Sequence, residues 1–208
     1  NGIMAKGIVK LNSDGSTDNT FNSGSGFSND SFIASVEDIF IQQDGKIIVA
    51  GYFNNYNGNS CNRICRLNPD GSFDNSFIIG SGFSNGPFNC STDNIVILPS
   101  EKLLITGTFI SYNGTNCEIC RLNSDGTYDS TSNYGNFNNY DDSFNEFVSI
   151  NDLKIQSDGK ILAGGNFTHY NGTARRKIVR INNDGTIDNT FTIGNGFNDT
   201  VTTLSIQS

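Results

Sequence analysis

The chain has 208 residues, 35% hydrophobic and 16% charged, with a formal net charge of −8; that length buries a real core in one or two domains. The acidic balance argues against nucleic acid or an anionic membrane as partner, because either calls for a basic face, and no apolar run approaches the roughly 20 residues of a transmembrane helix. Twenty-three glycines, no Trp and a single His describe a chain rich in turns and poor in catalytic side chains.

Taken along the chain, one motif returns. Lys10-Leu11-Asn12-Ser13-Asp14-Gly15 recurs as Arg66-Leu67-Asn68-Pro69-Asp70-Gly71, as Arg121-Leu122-Asn123-Ser124-Asp125-Gly126 and as Arg180-Ile181-Asn182-Asn183-Asp184-Gly185, at intervals of 56, 55 and 59 residues. A second marker, Gly51-Tyr52-Phe53, Gly107-Thr108-Phe109 and Gly165-Asn166-Phe167, runs in step, and each is followed by Tyr-Asn-Gly at Tyr56, Tyr112 and Tyr170. A third, Gly-x-Gly-Phe, ends at Phe27, Phe83 and Phe197, and blurs into Tyr134-Gly135-Asn136-Phe137 within a longer polar insertion, residues 130–146. One unit, residues 35–90, reads as four strands. They are Val36 to Gln42, Lys46 to Phe53, Arg63 to Asn68 and Ser72 to Ile79. Gln43-Asp44-Gly45, a polar loop and Pro69-Asp70-Gly71 separate them, and no helical period intervenes. Asp-Gly fits a three-residue hairpin loop, a type I turn with Gly at positive φ.

That loop fixes a register. Leu67 faces Phe73 and Arg66 faces Asp74; the same count pairs Lys10 with Asp18, Arg121 with Asp129 and Arg180 with Asp188. A base meets an acid four times, each cross-strand pair stabilising by about 0.2–1 kcal/mol, so these residues read as structural rather than as a basic stripe for phosphate. Four antiparallel strands repeated every fifty-odd residues indicate an all-β fold, a β-propeller of four-stranded blades. The absence of Trp disfavours WD40 and kelch repeats, and a parallel solenoid does not call for two Asp-Gly hairpins per unit. Residues 1–208 are thus expected to form one partial propeller domain. Its blade units are 1–34 (partial), 35–90, 91–146, 147–199 and 200–208 (partial), about 3.7 blades of a larger, for example seven-bladed, ring.

Asp44-Gly45-Lys46-Ile47-Ile48-Val49-Ala50-Gly51-Tyr52-Phe53 and Arg66-Leu67-Asn68-Pro69-Asp70-Gly71-Ser72-Phe73-Asp74-Asn75-Ser76-Phe77 resemble the delta-60 repeat, as does Asp158-Gly159-Lys160-Ile161-Leu162-Ala163-Gly164-Gly165-Asn166-Phe167. The resemblance covers essentially the whole chain and departs at Pro99-Ser100-Glu101 and at residues 130–146. It implies a β-propeller of the kind found in bacterial surface or secreted proteins and in large viruses and phages. It brings no catalytic residues.

Candidate chemistry is sparse. Cys65 and Cys120 stand where other units place Val9 and Val179, a small apolar core position. Cys117-x2-Cys120 resembles half a zinc knuckle, but Cys61-x3-Cys65 is spaced differently, Cys90 is alone, and residues i and i+3 on a strand point to opposite faces. Reduced thiols are the expectation, with a Cys61 or Cys117 crosslink if the protein is exported. Asn12-x-Asp14-Gly15-x-x-Asp18 has a calcium-loop flavour, yet Lys10 stands where a first acidic ligand belongs. Asp38, Asn94 and Asp152 align at the start of the first strand, either as solvated strand ends or as a ring at a channel mouth for a small polar ligand. Tyr56, Tyr112 and Tyr170 either form an aromatic contact patch on one rim or pack over their loop. His169 has Asn55 and Ser111 as counterparts, so no catalytic constellation is built on it. No metal or cofactor is expected.

The functional expectation is a non-catalytic structural or interaction module on a virion, as a phage tail or appendage scaffold or host-attachment module, or on another extracellular surface. Its partners would be other protein subunits of a larger assembly, or surface glycans. The alternatives are a secreted bacterial adhesion protein and an enzyme with a site in the central funnel.

Overall fold

A computed structural model describes residues 6–30, 32–131, 134–140 and 148–207. Every regular element among them is a β-strand, and all pairing is antiparallel. Each of the three central units contributes one main sheet of three strands, with the second strand in the middle. In the 35–90 unit these are Ser35–Ile41, Ile47–Tyr52 and Ile64–Leu67. The next unit repeats them as Thr92–Ile97, Leu103–Gly107 and Cys120–Leu122, and the 147–199 unit as Ser149–Ile155, Ile161–Asn166 and Ile178–Ile181.

Among the described residues the expected fourth strand does not form in these units. The chain leaving the Asp-Gly loop meets the third strand in one bridge only, Leu67 with Phe73, Leu122 with Tyr128 and Ile181 with Ile187. The partners are those the register predicts, but the ladder stops there. The reason is the next residue. Asp74 Oδ1 accepts from Ser76 N at 3.0 Å and Ser76 Oγ at 2.7 Å, and Phe77 N donates to Asp74 O. Asp129 with Thr131 and Asp188 with Thr190 do the same. Side-chain bonds of this kind offer the backbone a turn in place of a strand.

The polar loop, by contrast, is ordered. Asn55–Tyr56 and Asn59–Ser60 form a tight hairpin around Asn57 and Gly58, whose φ values of 49° and 83° suit a type I′ turn. A third short strand, Phe27–Ser28, joins it, so Phe27 pairs with Tyr56. Phe83 pairs with Tyr112 and Phe137 with Tyr170 in the same way. Phe137 is the marker the sequence leaves blurred. The end of each unit thereby reaches into the next. Of the insertion at 130–146, residues 132–133 and 141–146 lie outside the described residues.

The middle sheet is buried on both faces. Leu103 and Ile105 belong to one apolar cluster, shared with the 35–90 unit, while Leu104 between them belongs to a second, shared with the 147–199 unit. Alternate side chains of one strand thus serve two interfaces, which is why Leu103 to Ile105 is a continuous apolar run.

The second marker's glycine also has a reason. Each first strand carries a bulge, between Val36 and Asp38, Thr92 and Asn94, and Ile150 and Asp152. A Cβ on Gly51, Gly107 or Gly165 would overlap the carbonyl of Ser35, Ser91 or Ser149 opposite it.

Candidate functional site

The residues that recur in the sequence converge on three kinds of node. In the first, the hairpin tyrosine is the hub. Tyr56, Tyr112 and Tyr170 are fully buried. Their hydroxyls donate to the carbonyls of Gly71, Gly126 and Gly185 in the Asp-Gly loop of the same unit, at 2.7, 2.6 and 2.7 Å. Phe27 lies 4.5 Å from Phe53 and 4.6 Å from Tyr56 between ring centroids, and the other two units repeat the cluster. Burial pushes all three phenols up, Tyr170 to about 12. Of the two readings open in the sequence, a rim patch is the one this geometry contradicts: no face of these rings reaches solvent.

In the second node, the four base–acid pairs lie at 2.9 Å (Lys10–Asp18), 2.6 Å (Arg66–Asp74), 2.7 Å (Arg121–Asp129) and 2.7 Å (Arg180–Asp188). A second cation joins three of them: Lys46, Lys102 and Lys160 reach Asp74, Asp129 and Asp188 at 2.9, 2.6 and 3.0 Å. The sequence signal for these lysines was present, one residue after each first turn, but only the fold shows which acid they meet. Burial opposes ionisation of Asp74, yet hydrogen bonds from Ser76, Lys46 and Arg66 outweigh it and hold the carboxyl well below the usual range. Asp129 is held low by the same balance, and Asp188 chiefly by Thr190. Arg66 and Arg121 also reach forward, donating to Ser124 O at 2.6 Å and Asn183 O at 2.8 Å in the following unit.

In the third node, Asp38, Asn94 and Asp152 are each engaged with the following unit. Asp38 Oδ2 accepts from Ile95 N at 2.7 Å, Asn94 Nδ2 donates to Asn151 O at 2.9 Å, and Asp152 Oδ2 accepts from Leu204 N at 2.7 Å. Each therefore fastens its own first strand to the equivalent segment of the next unit.

Two clefts accompany these nodes. The larger, about 840 Å³, lies between the turns at 42–46 and 97–101 and is lined by Phe40, Gln42, Lys46, Arg66, Leu98 and Asp125 among others. A smaller one of about 300 Å³ lies where Glu37 and Tyr52 face Asn89, Ser91 and Thr108. Burial, with the Glu37 charge adding to it, pushes the Asp93 carboxyl up beside that cleft. His169 contacts Thr168 Oγ1 through Nδ1 at 2.9 Å and meets the ring of Tyr140. Among the described residues, no three His, Cys, Asp or Glu side chains gather as a metal set.

One recurrent feature escaped the sequence reading. The loop entering each first strand presents an exposed aromatic: Phe32, 58% exposed, Phe88, 74%, and Tyr140, 67%. The signal lay five residues after Phe27 and Phe83 and three after Phe137, an offset that the insertion obscures.

A family model described as a domain of unknown function (DUF5122) β-propeller matches residues 1–21, 42–77, 98–131 and 156–191, together more than half of the chain. The three later segments each span a second strand, its hairpin tyrosine and an Arg–Asp node. No curated protein and no solved structure matches the chain.

Proposed function

Because the chain belongs to the DUF5122 β-propeller family, we propose that its repeats act as blades of a non-catalytic interaction scaffold whose rim, rather than its interior, binds other proteins. The observation that carries this reading is the exposed aromatic at the same loop of successive units, Phe32, Phe88 and Tyr140. Exposed rings repeated once per unit offer desolvatable anchors of the type that dominate protein contacts. The recurrent polar residues meanwhile are spent on holding unit to unit. The placement on a virion appendage draws on the delta-60 resemblance. Immunogold labelling with antibodies against this segment tests it: regular labelling of a tail or appendage is expected, and labelling confined to a bacterial surface overturns it in favour of the adhesion reading. A Phe32→Ser, Phe88→Ser, Tyr140→Ser variant tests the rim. It should keep the wild-type circular dichroism and be lost from the assembly. Full retention in the assembly overturns the rim as the contact surface.

A further inference from the structure

Four of the five cysteines stand as two matched pairs. Cys61 and Cys117 are equivalent: each follows its hairpin, and each amide closes the hairpin base, Cys61 N donating to Asn54 O at 2.9 Å and Cys117 N to Ile110 O at 3.0 Å. Cys65 and Cys120 are also equivalent, on the third strand opposite Val49 and Ile105. Within each unit the two thiols are close enough for each Cys61 or Cys117 thiol to raise the pKa of its partner, Cys65 or Cys120. All four are buried. In the 147–199 unit the same two places hold Arg175, whose amide donates to Thr168 O at 2.8 Å, and Val179. Both cysteines are therefore present together or replaced together. Core filling accounts for Cys65 and Cys120, since Val179 does the same at that position. It does not account for Cys61 and Cys117, whose counterpart is a cation.

We propose that Cys61 with Cys65, and Cys117 with Cys120, are dithiol sites that oxidise to two disulfides, each tying the base of a hairpin to the third strand of its own unit. Cys90 has no such neighbour in the repeat and stays a thiol. The oxidant is a small-molecule disulfide such as oxidised glutathione. One cysteine thiolate attacks the oxidant's S–S bond, forming a mixed disulfide and expelling one thiolate. The second cysteine then attacks the mixed disulfide at the protein sulfur and expels the other. Two S–H bonds are lost and one S–S bond forms; the oxidant takes up both electrons and leaves as two thiols with both protons. Burial pushes the Cys65 and Cys120 thiols up, with the partner thiol adding to the effect. Thiolate is scarce in the folded state, so exchange belongs to folding, before the hairpin closes over the strand. A bridge once enclosed is shielded from reductant in the same way.

The test is refolding of the 208-residue chain from denaturant in a reduced and oxidised glutathione buffer, then alkylation and peptide mass spectrometry without reduction. The expected result is one peptide holding Cys117 and Cys120, lighter than its dithiol form by about 2 Da. Cys61 and Cys65 should be joined across a tryptic cut at Arg63, with Cys90 alkylated. Alkylation of all five cysteines, a linkage through Cys90, or bridges between units overturns the proposal. A Cys61→Ser, Cys65→Val variant, refolded alike, should keep the Cys117–Cys120 bridge, because each site is complete within its unit. Loss of that bridge at unchanged circular dichroism would overturn the assignment of two independent sites.

Discussion

Asp74, Asp129 and Asp188 each receive two cations and a hydroxyl, and their ionised forms are favoured by folding. Asp18, with Lys10 and Thr20, is the simpler version, its carboxyl held at about 2 first by the Thr20 hydroxyl. A carboxyl whose pKa falls on folding contributes stability above its unfolded value of roughly 4, and that contribution is lost as pH drops through the folded value. Asp93 and Glu118 act in the opposite sense, because burial raises both. The paired aspartates outnumber them, so the urea midpoint should hold steady from pH 7 to about 5 and fall steeply below about pH 4. An Asp129→Asn variant should show a shallower fall; an unchanged midpoint from pH 7 to 3 in the wild type would remove the nodes from the stability account.

At the scale of the element, the turn between first and second strands shows what is essential to it. In two units it is an Asp-Gly loop, with Gln42 N donating to Lys46 O at 2.8 Å and Gly45 N to Gln42 O at 2.9 Å. The middle unit keeps the same two bonds around Pro99-Ser100-Glu101, Leu98 N to Lys102 O and Glu101 N to Leu98 O, both 2.8 Å. Glu101 accordingly takes the glycine's conformation, at φ 60°. The departure visible in the sequence is not a departure in structure, only a residue with a Cβ where one is disfavoured. Glu101→Gly should therefore stabilise the chain by about 0.5–1 kcal/mol, the relief of left-handed strain less the added chain entropy. Equilibrium urea unfolding measures this, and a loss of stability would mean the Glu101 side chain has a contact worth more than the strain.

For the whole molecule, what joins unit to unit is partly apolar and partly a set of directed bonds. The apolar part is the pair of clusters that meet on either side of the middle sheet. The directed part is the forward reach of Asp38, Asn94 and Asp152 and of Arg66 and Arg121, and the backward reach of Thr92, whose hydroxyl accepts from Gly51 N at 2.8 Å in the preceding unit. Tandem arrays derive cooperativity from such interface terms. Asp38→Ala should raise the exchange rate of the Ile95 amide at least tenfold while leaving Val49, inside its own sheet, nearly unchanged. Equal acceleration at both amides would show that the bond serves the fold of one unit and not the joint between two.

Much of this was legible in the sequence because repetition supplies its own control. A pairing of Arg66 with Asp74 is one guess, but the same offset returning at Lys10, Arg121 and Arg180 identifies a register, since the side-chain period of a strand tolerates no slip. Strand type, the Asp-Gly loops and the unit length follow from local chemistry and needed no partner to define them. What the sequence could not decide was anything set by contact between residues far apart in the chain. Whether Asp38 faced solvent, a ligand or the next unit depended on the neighbour 57 residues on. Whether Tyr56 lay on the rim or beneath it depended on Phe27 arriving from the preceding unit. The fourth run was lost to a local competition, Asp-x-Ser/Thr bonding against a ladder, whose outcome only the assembled sheet decides.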